Sequence, residues 1–242
     1  SANKNSIKII GDYTENYAQG YFVYDSKKAG AVTVSHLRFG MKPIRSSYLI
    51  NTAKFVACHQ WAFLEKYDML KDAAKNSIFL LNSHYSPEEV WNQLPREVQK
   101  DIIEKEIKLY VIDGYKVAKE TGMGDKINTI MQTCFFAISN ILPKDEAIAC
   151  IKKAIEKSYK AKGKEVVEKN WAAVDKTLEN LHLVNYPKQV TSSFSRPPVF
   201  EKATGFVKDV LGRIMQREGD DLPVSAFPCD GTFPTGTTHY EK

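Results

Sequence analysis

Three short apolar runs, FVAC at 55–58, SIFLLN at 77–82 and IKLYVID at 107–113, are separated by longer stretches, QWAFLEKYDML and SPEEVWNQLPREVQKDIIEKE, with helical periodicity. Short runs without polar alternation suit strands buried on both faces, which is the condition of a parallel sheet with helices packed over it. The order strand, helix, strand, helix, strand then predicts an α/β fold: three layers, with a mostly parallel or mixed sheet flanked by helices. Pro95 is expected to break the second helical stretch.

Before this core, Ile7, Ile10 and Tyr17 stand at i, i+3 and i+10, with Ile9 and Tyr13 four apart beside them. Asn3, Asn5 and Ser6 supply capping types at the start, so the segment predicts a helix that Gly20 closes. YFVYD follows as a short strand, SKKAGA as a loop, VTVSHLRFG as a second strand and, past Pro43, SSYLI as a third. From Gly114 to about Leu183 the strand signal disappears. Ile130, Met131, Cys134, Ala137, Ile138 and Ile141 mark a helix apolar over most of its circumference, hence buried. Ile148, Ile151, Ile155 and Tyr159 mark an amphipathic helix with a solvated lysine-rich face, and VVEKNWAAVDKTLENL a further one. These form a helical layer added to the sheet, so residues 1–183 are expected to make one α/β domain. Residues 184–242 turn to Pro, Ser, Thr and Gly with one short helix around Thr204–Gln216, the texture of an extended C-terminal arm.

The hydrophobic share of 43% is ample for a core in 242 residues. No apolar run approaches the ~18 residues of a membrane helix and no charged-then-apolar leader opens the sequence, which suggests a cytoplasmic protein, or a piece of one, with no membrane partner. Thirty-four basic residues against 29 acidic ones give a net charge of +5, but the two signs are interleaved, which argues against a nucleic-acid surface. Cys58, Cys134, Cys150 and Cys229 are far apart and show no metal-ligand spacing, so neither a metal site nor an iron-sulfur cluster held by this chain alone is expected. The histidines at 36, 59, 84, 182 and 239 are scattered, and no nucleophile or acid/base constellation is present, so no catalytic residue is assigned.

Two places suit phosphate. The start of the first helix offers unpaired backbone N–H groups beside Asn3 and Lys4. Ser26, Lys27 and Lys28 directly follow the strand YFVYD, where side chains projecting from the carboxyl end of a sheet strand meet nucleotides in open α/β sheets. Arg38 and Arg45, flanking the turn FGMKPIRS, could clamp an anion or join two segments. TGMGDKIN is read as a helix-entry turn, and Asp230-Gly231, which resembles the start of a thiamine diphosphate motif, as a turn.

The blocks ANKNSIKIIGD, YAQGYFVYDSKKAGAVTVSHLRFG with KPIRSSYLI, and SAFPCDGTFPTGTTHYEK together resemble the pyruvate:ferredoxin (flavodoxin) oxidoreductase family, in the family's order and over nearly the whole chain. The resemblance implies an internal domain equivalent to the gamma subunit of multi-subunit 2-oxoacid oxidoreductases, whose Y-G-x-E-x-R-G-G loop stands where this chain has YDSKKAGA. It implies a parent enzyme, expected to be a homodimer, that decarboxylates pyruvate on thiamine diphosphate with Mg. That enzyme passes electrons through iron-sulfur clusters to ferredoxin or flavodoxin and acetylates coenzyme A. The thiamine and cluster sites would belong to other domains, which become this chain's partners, and no cofactor is expected on this chain alone. The family places a strand and a glycine turn ahead of ANKNS, and a ferredoxin-like cluster domain after the arm. What remains here is a share of coenzyme A binding, with Asn3, Lys4, Ser26, Lys27 and Lys28 as the candidate phosphate site, and no oxidoreductase activity in isolation. The competing expectation is a structural module that seats the thiamine and cluster domains.

Overall fold

The computed structural model describes residues 2–24 and 32–240. Its centre is a four-stranded mixed sheet of β3 (Ala53–Cys58), β4 (Ala73–Asn82), β5 (Lys108–Ile112) and β6 (His182–Leu183), in that spatial order. β3, β4 and β5 are parallel, with Val56 opposite Phe79 and Leu80 opposite Tyr110. β6 returns antiparallel to β5 and pairs Leu183 with Tyr110.

Each face of this sheet carries helices. On one side lie α2 (Phe63–Lys66), α3 (Val90–Gln93) and α4 (Arg96–Glu104), which bury Leu64, Trp91, Leu94, Val98 and Ile102 against Phe79, Leu81 and Leu109. On the other lie α5 (Gly114–Glu120), α6 (Asn128–Ile138) and α8 (Lys164–Asn180), whose Val117, Ile130 and Ala173 pack on Leu80 and Ile112. Alternate residues of β4 thus feed opposite cores, Leu80 one and Leu81 the other. Each such side chain removed from water stabilises the fold by about 1.5–3 kcal/mol before entropy is counted.

A further layer holds α1 (Ala2–Tyr13) and α7 (Lys144–Tyr159), where Ile9, Ile10, Ile151 and Ile155 meet Phe136 and Val174. α6 is buried over most of its surface, as its composition predicts, and its polar groups are paired inside: Thr129 Oγ1 donates to Asn170 Oδ1 at 3.0 Å, and Gln132 Nε2 to Ser6 Oγ at 3.2 Å. The expected α/β architecture with a flanked mixed sheet is present, and α3 and α4 are divided at Pro95 as predicted.

Four local readings change. The first helix stops at Tyr13: Thr14 N still donates to the Ile10 carbonyl at 3.1 Å, but the Asn16 N–H turns to Thr14 Oγ1 at 3.0 Å instead of to a helix carbonyl. Tyr17 and Gly20 therefore belong to β1 (Tyr17–Tyr24), which pairs antiparallel with β2 (Thr33–Gly40) in a separate two-stranded sheet. SSYLI is not a strand: its backbone is bonded by side chains, with Arg38 donating to the Ser46 and Tyr48 carbonyls and Tyr21 Oη accepting from Ile50 N at 2.7 Å. QWAFLEKYDML condenses to the single helical turn of α2, and the two-residue β6 falls where only helix is expected.

After Leu183 the chain does not leave the body at once. Val184 N donates to the Leu109 carbonyl at 2.8 Å, and Tyr186 stacks on Trp91 with ring centres 4.9 Å apart. Beyond Arg196 the segment folds on itself around a π-helical turn, Val207–Leu211, running into α9 (Gly212–Met215). Phe200, Ala203 and Val207 gather Val199, Leu211 and Tyr240, and Phe233 meets Phe206 edge-on at 5.1 Å.

Candidate functional site

α1 and the β1–β2 hairpin form the candidate site. Ser6, Ile9 and Ile10 make the buried stripe of α1, and the Ser6–Gln132 bond fixes that stripe on α6. Gly20 lets the hairpin approach: a Cβ there would lie 2.4 Å from Ile7 Cδ1 and 3.1 Å from the His36 carbonyl oxygen. Three residues toward the amino end of α1, Lys4 Nζ lies 5.5 Å from the centre of the Phe22 ring. Moving up the helix from Ile7 to Lys4 therefore means moving down β1 from Gly20 to Phe22, so α1 and β1 run antiparallel. The amino end of α1 sits beside the end of the hairpin where the chain enters and leaves 25–31.

Asn3 and Lys4 are thus brought to the hairpin end from which Ser26, Lys27 and Lys28 depart, although those three lie outside the described residues. No acidic side chain occupies the first turn of α1, so nothing on the helix itself cancels the positive end of its dipole. Lys4, beside that end, is exposed. Such an end can hold an anion by backbone N–H groups and by lysine charge together. One premise of the sequence reading fails, however. β1 is paired with β2 alone among the described residues and is no part of the parallel sheet, so the rule about carboxyl edges does not apply to it.

The other candidates resolve as structure. Arg38 joins two segments: it stacks on Tyr48, 3.7 Å from the ring centre, and ties residues 46–48 to the hairpin through the Ser46 and Tyr48 carbonyls. TGMGDKIN closes α5 through Met123 N to the Ala118 carbonyl at 2.7 Å, with Gly122 and Gly124 at positive φ. Asp230 accepts from Thr232 N and Oγ1 in a turn completed by Gly231 at φ 74°. Burial pushes the Cys58 thiol up to about 12 and raises Cys134 as well, which leaves both unreactive near neutrality. His36 is stacked on Tyr21 with ring centres 4.2 Å apart.

Asn82 and Gln99, which sequence reasoning passes over, and Ser6, which it reads only as a capping type, organise the fold. Asn82, the one polar residue ending the run SIFLLN, donates to the His59 carbonyl at 3.0 Å and accepts from Gly114 N at 2.8 Å, joining the carboxyl ends of three strands. The polar break in an apolar run was the available signal. Gln99 and Ser6 have no such signal, because their partners lie 92 and 126 positions away.

A family model described as pyruvate ferredoxin/flavodoxin oxidoreductase matches residues 1–180, about three quarters of the chain. The chain belongs to this family. A second model, described as a domain of unknown function, matches residues 193–242. The pyruvate-flavodoxin oxidoreductase of Trichormus variabilis is 57% identical over 251 residues, an alignment that covers all of this chain and 21% of that protein. This member of the pyruvate ferredoxin/flavodoxin oxidoreductase family therefore spans about a fifth of the length of the curated relatives it matches. Among solved structures, the pyruvate oxidoreductase subunit PORC of Thermotoga maritima superposes with a TM-score of 0.58 at 16% identity, covering 76% of this chain and 90% of that one. The 2-oxoglutarate:ferredoxin oxidoreductase of Magnetococcus marinus, solved with 2-oxoglutarate, coenzyme A and succinyl-CoA bound, superposes with a TM-score of 0.50 at 14% identity over 81% of this chain and 30% of that one. At these identities the two structures establish the shared fold.

Proposed function

We propose that this chain is the gamma-type unit of an enzyme that oxidatively decarboxylates pyruvate to acetyl-CoA and reduces ferredoxin or flavodoxin, and that it holds the coenzyme A phosphates at the α1 end of the hairpin. The observation that carries the second part is the antiparallel packing of α1 on β1, which sets Asn3 and Lys4 at the end of the hairpin that leads into Ser26, Lys27 and Lys28. Coenzyme A carries a pyrophosphate and a 3'-phosphate, so a helix end and a lysine pair can each take one group. The coenzyme A in the Magnetococcus marinus enzyme supports the reading by analogy of fold. Thiamine diphosphate with Mg and the iron-sulfur clusters are assigned to the rest of the parent polypeptide, which makes this unit inactive alone.

The test is a Lys27→Ala, Lys28→Ala double variant of the full-length enzyme. Losing two charge-assisted contacts is expected to raise the apparent coenzyme A requirement at least about tenfold. Pyruvate-dependent radical formation, which precedes coenzyme A, stays as it was. An unchanged coenzyme A dependence overturns the assignment. A second reading, a module that only seats neighbouring domains, is favoured by the exposed Tyr17, Phe39, Met41, Tyr48 and Leu49 at the other end of the hairpin. It predicts that calorimetric titration distinguishes nothing between coenzyme A and its dephospho form.

A further inference from the structure

Residues 191–240, most of which are matched by the model described as a domain of unknown function, meet the α/β unit at two contrasting attachments among the described residues. The first attachment is buried and polar. Gln99 Oε1 on α4 accepts from Thr191 N at 2.8 Å and Ser192 N at 2.9 Å, while its Nε2 donates to the Trp91 carbonyl at 2.6 Å. On the same helix Arg96 donates through its backbone to the Phe194 carbonyl and through Nη1 to the Ser192 carbonyl, both at 2.9 Å. Glu97 accepts from Arg196 N at 3.2 Å, and the Arg196 guanidinium lies 3.7 Å from Asp68. Gln99 and Ser192 are buried, so parting them would strand two backbone N–H groups.

Pro197 and Pro198 follow at once, a stiff connection with no N–H to give. Past them the chain has its own apolar cluster, distinct from those of the sheet. The second attachment is at its far side, where Lys71 Nζ, in the turn before β4, lies 2.5 Å from Asp221. Both side chains are near half exposed, at 44% and 47%. Arg217 stands close enough to His36 of β2 to help hold its imidazole below the usual range, after burial as the main cause.

We propose that residues 199–240 form a hinged module, held fast at 191–196 and latched reversibly to the α/β unit through Lys71 and Asp221, so that it opens and closes without unfolding the sheet. Small units with a separate core and a sparse, charged interface move relative to their neighbours by default. The lever is ionic strength and not pH. Hydrogen bonding to Lys71 depresses the Asp221 carboxyl and the same bond raises the Lys71 ammonium. The latch is therefore lost only as pH falls through the lowered carboxyl value or rises through the raised ammonium value, and across neutrality both charges persist. Salt, in contrast, screens an exposed pair directly.

Hydrogen exchange of the full-length protein in dilute buffer and in 1 M salt tests this, with Asp221→Asn and the charge exchange Lys71→Asp with Asp221→Lys. In Asp221→Asn, and in the unaltered protein at high salt, amides of 206–222 should exchange up to roughly fivefold faster, the scale of an exposed ion pair. The amides of Thr191, Ser192, β4 and β5 should keep their rates, and the charge exchange should restore protection. No change at 206–222 overturns the proposal, since the pair then holds nothing. Faster exchange spreading to β4 and β5 also overturns it, since module and sheet then open as one unit.

Discussion

Gly20 decides how near the hairpin comes to α1. A methyl group there meets the mobile end of Ile7 and the fixed His36 carbonyl, so Gly20→Ala should cost about 1–3 kcal/mol, read from denaturant midpoints. Shortening the neighbour in Gly20→Ala with Ile7→Val should recover part of that loss; no recovery would show that the carbonyl contact dominates. Asp101 supplies a second prediction at this scale. Burial first, and then the Asp68 carboxylate, push its carboxyl up from 3.8, with Lys105 and Arg196 pulling the other way. The native state then holds this proton more tightly than the unfolded chain, so stability falls as pH rises from the usual value through the raised one, and the full cost is present above it. Asp101→Asn should therefore raise the thermal midpoint at pH 7 by roughly 1–3 °C, with the advantage vanishing below about pH 3.8, where both residues are neutral. A lowered midpoint at pH 7 would mean that the Lys105 pairing at 3.8 Å outweighs burial.

At the scale of elements, α4 does two jobs. Val98 and Ile102 enter the core, while Arg96, Glu97 and Gln99 grip the chain 92 to 99 positions later. Gln99→Ala should cost about 2–4 kcal/mol, since two buried N–H groups lose their acceptor, and should expose the Thr191 and Ser192 amides to exchange. Retained protection of those two amides would show that water or the Trp91 carbonyl replaces the amide group. The sheet strands were legible because β3, β4 and β5 are apolar on both faces, and such runs have few other uses. The start of the hairpin was read less well, because Tyr17 falls by coincidence at a helical spacing from Ile7 and Ile10, and the Thr14 hydroxyl takes the Asn16 N–H between them. SSYLI has the side chains of a strand, but its hydrogen bonds go to Arg38 and Tyr21, which no local pattern reveals.

For the whole molecule, sequence and structure agree on one α/β body with an added helical layer, and family membership rests on residues 1–180. The candidate site was legible only in part. Helix-start chemistry nominates Asn3 and Lys4, and the fold sets them beside the hairpin end, while Ser26, Lys27 and Lys28 lie outside the described residues. At the carboxyl side the sequence shows a change in composition after Val184, whereas the grip of α4 on 191–196 depends on partners more than ninety residues away, which no local pattern reveals.

That grip also has a mechanical meaning. A pull transmitted along the polypeptide from its carboxyl side would reach residues 191–196 before it reached β6, and there it would meet a buried amide and an arginine in shear. β6, only two residues long, could not resist peeling, but it lies upstream of the grip and is relieved of tension, as a cable clamp protects the joint behind it.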